Sequence, residues 1–197
     1  MTVYLYTKTN EELNSFDEVI SVIQNGIGNS VNILFSTENQ RCFRELKHLK
    51  DSCNTGDIII VSNFGSLGLN DIDIKENLDF FIQKSVKLVI RDIPSTYEYG
   101  IGTSTNLAVI RTIFDLIKSQ NQKITPIRTS RRAGAGRTKL DFPENWDELY
   151  AKWEQKEITS GEFIRQSGLK KASFYNLMAE YRKILETNKK YKEKYGC

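Results

Sequence analysis

Short apolar runs alternate along the chain with longer stretches in which apolar residues return every three or four positions. Thr2 to Tyr6 reads as a strand, and Glu11 to Gln24 follows with Leu13, Phe16, Val19, Ile20 and Ile23 at helical spacing. The alternation recurs as Val31 to Phe35, Gln40 to Cys53, Asp57 to Val61, Ile72 to Gln83 and Val86 to Ile90, strand and helix in turn. Uninterrupted apolar strands such as Ile58, Ile59, Ile60 and Val61 suit a sheet covered on both faces. The pattern predicts an α/β domain with a mainly parallel sheet and flanking helices, its last strand ending before residue 100.

A further helix is predicted from Ser104, with Leu107, Ile110, Ile113, Phe114 and Ile117 on one broad apolar face. Either the sheet of its own domain or a second copy can bury that face; the second alternative makes it a dimerisation helix and the protein a homodimer. Residues 121 to 140 change character, with six Lys and Arg, no acid, Pro126 and the small-residue stretch Ala133 to Gly136. They read as an extended basic linker. Three short helices follow. Trp146, Leu149, Tyr150 and Trp153 form the inner face of the first, and Thr159 with Glu162 makes a capping box that starts the second, burying Phe163 and Ile164. After Gly168, the third begins near Lys171 and buries Phe174, Leu177, Met178 and Tyr181. The expected division is an α/β domain over 1–122, a basic arm over 123–142 and an all-α module over 143–197.

Charge sharpens this division. Residues 1 to 120 hold 11 Lys and Arg against 15 Asp and Glu, whereas residues 121 to 197 hold 17 against 10. A basic C-terminal third on an acidic body points to a polyanion partner. No run of 18 apolar residues and no secretory leader is present, so a soluble, cytoplasmic protein without a membrane partner is expected. Cys42, Cys53 and Cys197 are odd in number and widely spaced, as reduced thiols are. With His48 alone and no CxxC spacing, neither a metal nor a cofactor is expected.

Helix, Gly-containing turn and second helix with small polar and basic residues at its start form a helix-turn-helix pattern. The outward face of the third helix offers Lys171, Ala172, Ser173 and Asn176. Asn176 can pair with adenine and Ala172 can touch a thymine methyl group, while Lys170, Lys171, Tyr175 and Arg182 suit phosphates. Arg131, Arg132, Arg137 and Lys139, around a stretch free of bulky side chains, suit a narrow minor groove. Double-stranded DNA is the expected partner.

This order of elements resembles the serine recombinases, the resolvase and invertase family. GDIIIVSNFGSLGLND, ending at Asp71, resembles the family's GD strand and its Leu-Asp-Arg-Leu-Gly-Arg motif; VKLVIRDIPST at 86–96 resembles the strand that follows; residues 134–181 resemble the family's arm and DNA-binding domain. The resemblance implies a resolvase-like domain followed by a helix-turn-helix domain. It also implies a serine nucleophile in a Tyr-x-Arg-x-Ser motif, with arginines clamping the scissile phosphate. Here that motif reads Tyr4 to Lys8, with Tyr6 in place of the arginine and Lys8 in place of the serine. Gly65 replaces the aspartate of the later motif, and Ser66 and Leu69 replace its arginines; Leu67 and Gly68 remain. Arg41 or Arg44 corresponds to a further active-site arginine. The expectation is a catalytically degenerate member: a sequence-specific DNA-binding regulator, or an accessory factor beside another recombinase, on a plasmid, phage or chromosome. An active recombinase with a relocated nucleophile such as Thr9 or Ser66 is the alternative, and a protein-interaction module is a third reading.

Overall fold

The structure, a computed structural model, describes residues 1–27, 32–99, 102–122 and 140–196. Its first unit holds four parallel strands, β1 (Val3–Lys8), β2 (Ile33–Glu38), β3 (Ile58–Val61) and β4 (Lys87–Ile90), in the order β2-β1-β3-β4. Val3 stands opposite Ile33 on one side and Ile58 on the other, and Ile58 pairs with Lys87. Helices α1 (Asp17–Ile27), α2 (Arg44–Ser52) and α3 (Asp71–Gln83) connect the strands, and α4 (Thr103–Gln122) follows β4. The α/β expectation with a parallel sheet therefore holds.

Strand periodicity splits the core in two. Val3, Leu5, Ile58, Ile60 and Val89 point to one face and pack with Phe16, Val19, Ile20 and Ile23 at and inside α1. Tyr6, Ile59, Val61, Leu88 and Ile90 point to the other and pack with Leu46 and Leu49 of α2, Leu78 and Phe81 of α3 and Ile110 of α4. Asn106 ties α4 to the sheet edge: its amide accepts from Leu88 N at 3.0 Å and donates to Leu88 O and Thr96 O at 2.8 and 2.9 Å. Leu67 is fully buried, and a Cβ on Gly68 would lie 2.6 Å from Asp73 Cβ, so these two residues shape the turn into α3.

The second unit contains α5 (Trp146–Glu154) and α6 (Ser160–Ser167), and α7 (Lys171–Tyr195) begins in it. Its core is Trp146, Leu149, Tyr150, Phe163, Phe174, Leu177 and Met178, as the helical spacing predicts. Thr159 and Glu162 form the capping box, and Gly168 ends α6 in the left-handed conformation at φ 67°.

The boundary between the units falls differently from the expected one. The second unit spans Arg128–Lys183, and Ile184–Cys197 groups with the first. The cause is aromatic packing: α7 runs 25 residues, and its Tyr191 and Tyr195 stack on Phe35, with Phe16 meeting Tyr191 edge-on. Among the described residues, no helix is long and apolar enough to cross a membrane.

Candidate functional site

In the strand order β2-β1-β3-β4, connections leave β1 toward one edge and return to β3 on its other side. A crevice therefore opens at the carboxyl ends of β1 and β3. A cleft of about 660 Å³ lies there. Lys8, Asn10, Glu11 and Glu12 come from the end of β1, Gln40 and Arg41 from beyond β2, Asn63, Gly65, Ser66 and Leu69 from beyond β3, and Arg91 from beyond β4. The fold thus gathers at one place most of the positions that the recombinase resemblance singles out: Lys8, Arg41, Gly65, Ser66 and Leu69. Arg44 instead opens α2.

Lys8 is held rather than presented. Its ammonium donates to the Tyr6 hydroxyl at 2.6 Å, Glu38 Oε1 at 3.0 Å and Cys42 O at 2.7 Å, which uses all three donors, and it lies 4.1 Å from the centre of the Phe43 ring. The Tyr6 hydroxyl donates to Glu38, whose other oxygen accepts from Glu45 N at 3.1 Å. Burial pushes the Lys8 ammonium down and the Glu38 carboxyl up, each opposed by the charge of its partner. The hydroxyls near this position are also engaged: Thr7 with Thr37 at 3.0 Å, Thr9 with Asn39 at 3.3 Å, and Ser66 with Ser62 at 2.8 Å. Ser66 is only 1% exposed.

Glu11 was not legible as a site residue, because its position reads as the first turn of a helix. Instead the chain makes a loop and a short 3-10 turn, Leu13–Phe16, before α1. Ser62 donates to Glu11 Oε1 at 2.5 Å, and Arg91 Nη1 stands 3.7 Å from Oε2. Burial raises the Glu11 carboxyl above its ordinary value, opposed by the Ser62 hydrogen bond and the Arg91 charge. Only the strand order reveals that these residues meet.

In the second unit, three residues separate α6 from α7: Gly168, Leu169 and Lys170. Lys170, Lys171, Ala172, Tyr175 and Asn176 are exposed, opposite buried Phe174, Leu177 and Met178, while Ser173 is half-buried at the edge of that surface. The first turn of α7 carries no acid. Two acids elsewhere in the unit have partners: Glu148 pairs with Lys152 at 2.5 Å, and Glu162 closes the α6 cap. Arg182 is exposed, its guanidinium 5.4 Å from the Trp153 ring centre. The arm residues Arg131, Arg132, Arg137 and Lys139 lie outside the described residues.

The apolar face of α4 is largely taken up within the chain. Ile110 is buried in the core, Ile113, Phe114 and Ile117 pack against it, and Leu107 is half-buried. Of the five, Ile110 alone is fully buried, and the other four keep part of their surface exposed. Compared with known proteins, the chain matches no family model and no curated sequence.

Proposed function

We propose that the protein binds double-stranded DNA at a specific sequence through the start of α7 and does not itself cut or rejoin DNA. The observation that carries this reading is the surface formed by Lys170, Lys171, Ala172, Tyr175 and Asn176. It is exposed, free of acids in its first turn, and follows a three-residue turn from α6. In a helix-turn-helix arrangement the N-terminal residues of the second helix reach base edges in the major groove. Asn176 then reads adenine, and Lys170, Lys171 and Tyr175 hold phosphates. The described part of this unit, residues 140–183, has seven Lys and Arg against eight Asp and Glu, so the electrostatic share of binding falls on the six cations of residues 123–139. The role is that of a regulator or accessory factor.

The non-catalytic half of the proposal rests on Lys8. A serine recombinase mechanism needs a free nucleophile and a clamp of guanidiniums. At the nucleophile position stands an ammonium with every donor engaged, and Ser66 and Leu69 replace two of the arginines. A homodimer on an inverted site remains part of the proposal, with the half-buried Leu107, Ile113, Phe114 and Ile117 of α4 at its interface.

The test begins with affinity selection of bound fragments, followed by titration of the selected site and of random DNA. Asn176→Ala should weaken the selected site by about 1–3 kcal/mol and leave random DNA unchanged. Equal loss on both would remove Asn176 from the reading set. A covalent protein–DNA adduct on supercoiled substrate would overturn the absence of catalysis, and the footprint, one half-site or two, reports the stoichiometry.

A further inference from the structure

The cleft at the carboxyl ends of the strands has hydrogen-bonding capacity that the chain leaves unused, and DNA reading by α7 makes no use of it. Glu11 Oε1 takes the Ser62 hydroxyl, but Oε2 is buried without a hydrogen-bond partner among the described residues. Arg91 does not fill the gap. Its Nε and Nη2 both engage Asp92 Oδ1, at 2.9 and 2.8 Å, which leaves Nη1 3.7 Å from Glu11 Oε2. A buried carboxylate oxygen without a donor is costly, and a bound O–H or N–H group relieves it. On the same lining Arg41 is exposed, and no hydrogen bond or ion pair involves it among the described residues.

The wall that carries Glu11 is fixed in place. Tyr195 Oη lies 2.7 Å from Leu13 O and 2.5 Å from Asp17 Oδ1, sharing its one proton between them, and Lys194 donates to Asn14 Oδ1 at 2.7 Å. These bonds anchor the loop immediately after Glu11, so the site is preformed, as small-molecule sites usually are. A volume of about 660 Å³ exceeds what a bare inorganic ion fills and suits a molecule of roughly mononucleotide size. The two unmet groups define its chemistry. Glu11 needs donors, and the Arg41 fork needs a planar or tetrahedral oxyanion. An organic phosphate supplies both at once, a tetrahedral oxyanion for the Arg41 fork and hydroxyls for Glu11.

We propose that this cleft binds a small hydroxyl-bearing organic phosphate, with its hydroxyls donating to Glu11 and its phosphate on Arg41. Nucleoside monophosphates and sugar phosphates share this chemistry.

Isothermal titration of the full chain near neutral pH, without DNA, tests it with adenosine 5′-monophosphate, ribose 5-phosphate, adenosine and inorganic phosphate. Saturable one-to-one binding of either organic phosphate is expected; the first alone points to a nucleotide, the second alone to a sugar phosphate. Arg41→Ala should weaken that binding about tenfold or more, as should Glu11→Gln, which removes the charge and one of the two acceptor oxygens. Arg41 is exposed and unpaired, so its variant keeps the native melting temperature even if the Glu11 variant does not. No saturable heat from either organic phosphate at millimolar concentration would overturn the proposal. So would equal binding of inorganic phosphate, or affinity indifferent to Arg41→Ala. Because no DNA is present, failure here leaves the DNA reading standing, and the converse holds.

Discussion

Replacing Lys8 by methionine separates a structural role for this side chain from a chemical one. Methionine keeps an unbranched apolar stem but removes the ammonium, and with it the contact over the Phe43 ring. Glu38, whose side chain is 3% exposed, then loses its buried counter-charge while keeping the hydrogen bonds from Tyr6 and Glu45. Removing one partner of a buried pair costs about 3–5 kcal/mol. The two remaining hydrogen bonds place this case near the lower bound, at about 3 kcal/mol. For a unit of this size each kcal/mol lowers the melting temperature by roughly 3 °C, so a drop of about 10 °C is expected. Thermal and urea unfolding of the full chain measure it, with Lys8→Met/Glu38→Gln recovering part of the loss as the uncompensated charge disappears. DNA affinity per folded molecule should not change. A loss below about 1 kcal/mol would refute the buried pair. DNA breakage that vanishes in Lys8→Met while stability holds would refute the reading of Lys8 as structural.

Two further outcomes follow from the described contacts. Gly68→Ala should cost about 1–3 kcal/mol, because the new Cβ meets Asp73 Cβ at 2.6 Å and Ile74 N at 2.9 Å; an unchanged urea midpoint would contradict that close approach. Lys194 and Tyr195, both 2.5 Å from Asp17 Oδ1, hold the Asp17 carboxyl below its ordinary 3.8, so their contribution is present above that value and is lost as pH falls through the lowered one. Hydrogen exchange in residues 184–196 should therefore accelerate relative to β3 between about pH 6 and pH 3, and parallel rates at both would disprove the link.

The strands and the helical module were legible because period-two and period-3.6 patterns depend on neighbours along the chain. The helix starts at Glu11 and Gln40 were misplaced for a common reason. In both places a polar segment after a strand forms the rim of the cleft instead, and α1 and α2 begin at Asp17 and Arg44. The last turns of α7 were illegible for a different reason. Between Lys189 and Lys194 the sequence looks like a solvated charged helix, yet Tyr191 is 1% exposed against Phe16 and Phe35. Nothing near it in sequence announces partners so distant.

That distance governs the order of events during synthesis. Tyr195 Oη meets Leu13 O across 182 residues, and the chain leaves the first unit after α4 only to rejoin it at Ile184. The second unit is thus an insertion within the first, although it comes late in the sequence. A nascent chain on the ribosome has every strand of the sheet long before it has the tyrosines that seal one side of it. Until then Phe16 and Phe35 lack their cover, and the late-arriving segment closes a loop of high contact order, a slow step that leaves apolar surface open to association. A fragment cut at the basic linker would remain permanently at that unfinished stage.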